Sequence, residues 1–382
     1  MQKRIALTLA IALAVSGAGW AVARDGEPRR ADPVPPGLTL PPGFRINLFA
    51  EGLEAPRFMA FDPKGRLMVA EIRAGRVTVL PDQGHRGRAD RKIVFASGMN
   101  LPHSIAWHKG RAYIACLTQV IRCTDVNGDG VADRREVVVD GLAGGGGHST
   151  RTIVFGADGG IYVSVGSATN VGPETDRRRA VVLRFDADGS HGRIYASGLR
   201  NAVGMAVHPV TGRIWVTVNE RDLLGDDLPP DRLDILRDAG FHGWPYVYFF
   251  RGKPNPSPEY SDTPRSRQAL RSAIPPVLEF QAHSAPLGIA FYTGGQFPKE
   301  YRGDAFVAFH GSWNRTVPTG YKVVRVRVKD NKPVSYEDFV SGFLSLNPVE
   351  KRGRPAGVVA GPDGSLYVSD DAEGRIYRVT YR

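Results

Sequence analysis

Cysteine is nearly absent from this chain of 382 residues: only Cys116 and Cys123 occur. No CxxCH is present, which excludes a covalently attached c-type haem. The two cysteines flank the short segment CLTQVIRC. In an oxidising compartment they are expected to form a local disulfide holding a hairpin or loop, with two buried free thiols as the alternative. Long apolar runs are missing too. Beyond the N-terminal segment no stretch approaches 18 uninterrupted apolar residues, so the mature chain is expected to be soluble, without a membrane span. Helical periodicity is scarce; RLDILRDAG (232–240) offers a turn or two at most. Basic residues exceed acidic ones, 50 against 39, for a net charge of +11. Yet no basic stripe interleaved with aromatics exists, which argues against nucleic acid as a partner. A diffuse basic field favours anionic small molecules or a negative membrane surface. Disorder is excluded by a hydrophobic content of 42%.

What is present is repetition. Six copies of one pattern occur: FMAFDPKGRLMVAE (58–71), SIAWHKGRAYIAC (104–116), TIVFGADGGIYVSVG (152–166), GMAVHPVTGRIWVTVNE (204–220), GIAFYTGGQFPKEYRGDAFVAFHG (288–311) and GVVAGPDGSLYVSDD (357–371). Each is a small or apolar pair, a turn and an alternating strand. The first four start 46, 48 and 52 residues apart. Strand-and-turn repeats of this length predict an all-β, six-bladed β-propeller. One repeat cannot bury both faces of its sheet, whereas six around an axis can. The strand entering at 38–49 and the last strand GRIYRVTY (374–381) are expected to pair and close the ring. Wider spacing places extra material at 221–285 and 316–350, and 251–273 lacks periodicity, as a surface excursion would.

The N-terminus carries an address. Lys3 and Arg4 precede an apolar segment from Ile5 to Val15, and Ala21-Val22-Ala23 suits a signal peptidase. The expected organisation is a signal peptide at 1–23, a Pro- and charge-rich flexible leader at 24–37 and a propeller at 38–382, in a periplasmic or secreted protein. A retained N-terminal anchor is the alternative.

Several motifs carry chemistry. Asp125, Asn127, Asp129, Asp133 and Glu136 fall at positions 1, 3, 5, 9 and 12 of an EF-hand-type loop, with Gly130 at 6 and the Val131 carbonyl at 7. That pattern predicts a structural Ca2+ site without flanking helices. Glycines 144–147 precede His148, where the backbone is bare and an imidazole stands near the channel mouth. A neutral histidine there can take a proton from an alcohol; a hydrogen-bonded structural role is the alternative. Arg200 and Asn201 precede the fourth repeat, Arg354 the sixth, and Arg315 follows the fifth. Guanidiniums converging at one mouth would grip a planar polyanion through carboxylate forks. The acidic run Glu220, Asp222, Asp226, Asp227, Asp231 and Asp234 reads as a second calcium site or a hydrated loop.

Taken together, GHSTRTIVFGADGGIYVSVGS, SGLRNAVGMAVHP, the acidic run ending in GWPY, FHGSWNR and GRPAGVVAGPDGSLYVSDD resemble the soluble pyrroloquinoline-quinone (PQQ) dependent sugar dehydrogenases. The likeness is strongest to their L-sorbosone dehydrogenase-like, aldose and pyranose dehydrogenase branch, and it spans about 38–382. The resemblance implies an oxidoreductase with PQQ on the axis and His148 as catalytic base. It implies cofactor binding by Arg200, Asn201, Arg354 and Arg315, and a calcium held by the carbonyls of Asp222 and Leu223. The substrate would be an aldose or sugar aldehyde, and the electron acceptor a cytochrome or a quinone. The chain departs from the family's pattern in three places. Gly147 stands where an aspartate precedes the base in the glucose-oxidising members, Ala356 replaces a second arginine, and Asp222-Leu223 replaces the Gly-Pro calcium turn. Competing readings are a calcium-dependent lactonase-type propeller hydrolase and a non-enzymatic propeller that binds glycans or proteins.

Overall fold

The computed structural model describes residues 37–382, so the expected signal peptide at 1–23 and nearly all of the expected leader at 24–37 lie outside the described residues. Each repeat becomes the first half of a blade. The inner strands are Pro56–Phe61, Ser104–His108, Ile153–Phe155, Asn201–Val207, Pro286–Phe291 and Pro355–Ala360. Each turns back into an antiparallel second strand through the hairpin that its repeat encodes. Each inner strand packs against the next, and the sixth against the first, so six blades form a closed β-propeller. As expected, the ring closes through the N-terminal segment. Phe44–Ala50 pairs antiparallel with Arg375–Tyr381 and becomes the outer strand of the sixth blade. That pairing removes two free sheet edges at once.

Hydroxyls stitch the inner strands together. Ser104 Oγ donates to the Arg151 carbonyl, Thr152 Oγ1 to Val203, Thr217 Oγ1 to Leu287 and Ser369 Oγ to Arg57. These bonds cross four of the six blade junctions and satisfy buried carbonyls that the sheet ladders leave over. Three repeats begin with glycine because their strands touch at the axis. A Cβ on Gly204 would sit 2.0 Å from the Leu287 carbonyl oxygen, and one on Gly357 2.7 Å from the Arg57 oxygen. Beyond this belt the axis opens into a cavity of about 320 Å³, walled by Phe58, Met59, Trp107, Phe155, Met205 and Ile289.

Four expectations are corrected. Arg232–Ile235 is not helical; it is the fully buried third strand of blade four. Burial from both sides favours its β-branched and leucine side chains as strand. The helix lies instead at Pro264–Ser272, inside the stretch without periodicity. Thr263 caps it, in a reciprocal capping box with Ser266, and Pro264 occupies its first turn. The region 316–350 is mostly regular blade: Lys322–Lys329 and Lys332–Val340 are the outer strands of blade five. Finally, Cys116 and Cys123 are free and buried. Ala112 faces Cys123 while Cys116 bonds to Gln119, so the thiols are offset by four residues. That is about 13 Å along the strand, beyond the reach of a disulfide. Burial pushes their thiols up to about 12 and about 11.

Candidate active site at one mouth of the axis

Inner strands start side by side, so the residue before each strand faces the same mouth. Antiparallel pairing returns the end of each second strand to that mouth as well. The mouth therefore gathers Arg57, His103, His148, Arg151, Arg200 and Arg354 from the strand starts. From the strand ends it gathers Ser167, Asp222, His310 and Asp371.

His148 is the centre of this arrangement. Its Nδ1 lies 2.9 Å from the Ser167 carbonyl and 3.0 Å from Ser167 Oγ. A carbonyl only accepts, so Nδ1 carries the proton and Nε2 keeps its lone pair. Ser167 thus orients the imidazole in place of the carboxylate missing at Gly147. Burial, and then the Arg200 charge, lower His148 to about 4. The ring is a neutral base at any ordinary pH. Gly166 lets Asn201 approach: a Cβ there would lie 2.6 Å from His148 Cβ and 2.7 Å from Asn201 Oδ1. Asn201 Oδ1 is buried without a partner, so it is an acceptor held ready beside the base.

The arginines do meet at this mouth, but their forks are largely spent on the protein. Arg200 is 5% exposed. Its Nε donates to the Asn170 carbonyl, Nη1 to the Glu220 carbonyl and Nη2 to Asp222 Oδ2, at 3.1, 2.7 and 2.7 Å. Arg354 donates to the carbonyls of His310 and Gly311 and lies 5.6 Å from the Tyr321 ring centroid. Arg315 turns to the Asp226 carbonyl and to Asp227. The expected ring of open, bidentate guanidiniums is therefore corrected to a field of anchored positive charge.

Residues that sequence reasoning missed link the two sides of the mouth. Arg57 pairs with Asp371, and its Nη2 lies 3.5 Å from His103 Nε2. His103 Nδ1 meets the Arg151 carbonyl at 3.0 Å. Asp371 also accepts from His310 Nε2 at 2.8 Å. Burial works to raise Asp371, but His310 and Arg57 outweigh it and hold the carboxyl well below its usual range. Burial drives His103 well below the ordinary histidine value. A signal for this network did exist. Arg57, His103 and Arg151 each stand immediately before their repeat, one position in three consecutive copies.

Neither candidate calcium set is gathered as its pattern suggested. In the 125–136 loop, Asp125 accepts from the Gly128 and Gly130 amides, Asn127 from Asp129, and Asp133 from Val126. Glu136 is drawn off by Arg122, its neighbour across the sheet. Lys64 Nζ reaches the Gly128 carbonyl at 2.6 Å, and Arg66 approaches Asp125. At the other set, Asn170 holds Asp222 through both main-chain groups, and the Asp222 carboxylate is taken by Arg200 and Asn314. Leu223 is exposed, with a φ of 69°. Asp231 and Asp234 are buried on separate partners. Among the described residues, no three His, Cys, Asp or Glu side chains form a group suited to a metal.

Residues 36–382 match the model of a family described as a domain of unknown function (DUF7133). The chain belongs to that family. It is 31% identical to an uncharacterized protein of Borreliella burgdorferi, over 90% of this chain and 91% of that one. It is 27% identical to a pyrroloquinoline quinone-dependent pyranose dehydrogenase of Coprinopsis cinerea, over 88% of this chain but only 53% of that relative's length. The solved holo form of that fungal dehydrogenase's PQQ domain superposes with a TM-score of 0.76 at 25% identity, covering 91% of this chain and 98% of that one. Sequence likeness and fold thus make this chain similar to PQQ-dependent sugar dehydrogenases. No helix among the described residues is long and apolar enough to cross a membrane.

Proposed function

We propose that the protein is an exported, PQQ-dependent dehydrogenase that oxidises an aldose or a sugar aldehyde at the His148 mouth. The observation that carries this reading is the state of His148: anchored through Nδ1, free at Nε2, and neutral beside an unpaired Asn201 oxygen. That is the arrangement a base needs to take a proton from a sugar hydroxyl. The donor set suits a flat tricarboxylate. Arg57, Arg200 and Arg354 supply anchored positive charge, and the Asn201 amide supplies an unused polar group. When bound, PQQ would supply the quinone that accepts hydride from the sugar carbon. Arg200 would act chiefly by its field, because four of its five N–H donors are already engaged. Arg354, tied through Nε and Nη2, keeps Nη1 for a carboxylate, and Arg315 would do no more than set the 226–227 turn. The electrons would then pass to a cytochrome or a quinone acceptor. Export rests on the signal-peptide pattern at 1–23.

Calcium has no step here. At 222–223 the Asp222 oxygens already accept from Asn170, Arg200 and Asn314, and a guanidinium fills the place of a divalent ion. The 125–136 loop, with Asp125, Asn127, Asp129, Asp133 and the Val131 carbonyl, is a structural element between blades. A metal-centred lactonase is less favoured, because the axis presents guanidiniums rather than gathered carboxylates.

The test is to add PQQ to purified protein and follow its absorbance, then offer a panel of sugars. Expected are one bound quinone per chain and bleaching by at least one aldose or sugar aldehyde. Intact folding with no PQQ uptake would overturn the proposal and favour a non-enzymatic propeller.

A further inference from the structure

The loop that carries His148 has no secondary structure of its own. Gly145 and Gly146 have φ of 76° and 77°, a conformation other residues resist. Such a segment would place an imidazole poorly unless something held it. Two buried guanidiniums do so. Arg179 is 7% exposed. Its Nη2 donates to the Gly144 carbonyl, to Gly145 at 2.7 Å and to Ala143 at 3.2 Å, and its Nη1 donates to Gly166 at 3.4 Å. Arg151, fully buried, donates to the carbonyls of Ala143, Thr150 and His148 itself. Both spend their donors on main-chain oxygens rather than on carboxylates. From the other side, Gly147 donates to the Ala168 carbonyl at 2.7 Å, and Glu174 accepts from the Ala168 amide at 2.8 Å. The fit is close: a Cβ on Gly146 would lie 2.7 Å from Ala168 Cα and 3.2 Å from Arg179 Nη1.

We propose that Arg179 is a positioning residue for the base: it fastens the glycine loop from beneath and so holds the His148 ring in its buried seat against Ser167. This rests on the reading of His148 as a base, yet its test needs neither PQQ nor sugar. The planar fork spans the loop and Gly166 together, through Nη2 and Nη1, whereas a lysine brings one nitrogen. Fork and charge are therefore separable by substitution. The charged groups facing His148 are Arg200, Arg151 and Arg179, all opposing protonation. Glu174, across the Ala168 turn, is itself raised by burial, with Arg179 pulling the other way. Removing Arg179 removes one of three like charges from around the ring.

The experiment compares Arg179→Lys and Arg179→Met with the parent in apoprotein. The His148 ring titration is followed by NMR, and cleavage within 144–147 by limited proteolysis. Arg179→Met is expected to raise the His148 midpoint, because a like charge is lost and the loosened ring is less buried, and to speed cleavage at least about tenfold. Arg179→Lys is expected to keep the low midpoint and still speed cleavage. A parent-like midpoint in folded Arg179→Met overturns the proposal, and so does a protected loop in Arg179→Lys. If Arg179→Met fails to fold, Arg179→Lys decides alone. The dehydrogenase reading fails separately, by lack of PQQ uptake in the parent.

Discussion

Blades one to three and blades four to six treat the same axial position in opposite ways. The residue before each repeat is Arg57, His103 and Arg151 in the first three, and Val203, Leu287 and Ala356 in the last three. The first set forms a hydrogen-bonded chain across buried groups. The second packs as a small apolar cluster, with Phe58 against it. The next residue follows suit: Phe58, Ser104 and Thr152 on one side, Gly204, Gly288 and Gly357 on the other. Glycine lets blades four to six close by backbone contact. Blades one to three place side chains that carry charge and protons at the same level. A near-sixfold fold thus yields a one-sided axis, with a dry hinge of packing facing a polar arc. The absent arginine at Ala356 takes its meaning here. It lies in the apolar half, packed with Val203 and Leu287.

The contrast can be broken from either half. The largest effect is expected for Arg57→Met, which leaves the part-buried Asp371 carboxylate with His310 as its one remaining partner. Loss of one partner of such a pair costs about 3 kcal/mol or more. Chemical denaturation should show that loss, and Arg57→Met/Asp371→Asn should recover part of it. Equal stability of parent and single variant would remove the polar arc from the fold's energetics. Next comes Gly204→Ala in the packed half. Its Cβ would meet the Leu287 carbonyl, and overpacking of this kind costs about 2–3 kcal/mol. A milder loss, about 1 kcal/mol, is expected for Ser104→Ala, which removes one stitch between blades two and three. If Ser104→Ala proved worse than Gly204→Ala, the assignment of close packing to blades four to six would be wrong. Smallest is Asp125→Ala, remote from the axis. Thermal melts should fall by a few degrees, equally with calcium and with chelator, because Asp125 caps its own loop. A loss seen only with calcium would restore the ion to that site.

Much of the architecture was legible because it is periodic. Turn residues and alternating strands recur in each copy, and the clean alternation of the last strand marked the closure. The exceptions are strands without a repeat and a helix without apolar periodicity. Arg232–Ile235 carries charges that pair only after folding, with Glu220 and His242. The helix at Pro264–Ser272 buries just Ser266 and Ala269, too little to print a stripe on the sequence. Of the mouth, His148, Arg200 and Asn201 were visible as a local motif. Their supports were not. Ser167 acts through its main-chain oxygen, and Arg179 grips the loop carbonyls from 34 to 36 residues away. Sequence pattern reads side chains in register, whereas this mouth is assembled by backbone acceptors brought in from separate blades.

The most direct test of the dehydrogenase proposal is the pH profile of sugar-dependent dye reduction by PQQ-loaded protein, parent against His148→Ala. In the parent, kcat/KM is expected to stay flat through neutral pH and to fall only as pH drops through about 4, where His148 takes up a proton. His148→Ala is expected to bind PQQ, to lose about 10²–10⁴-fold in rate and to lack that acid limb. Parent-like reduction by His148→Ala, or the same limb in both proteins, would contradict a base at this position.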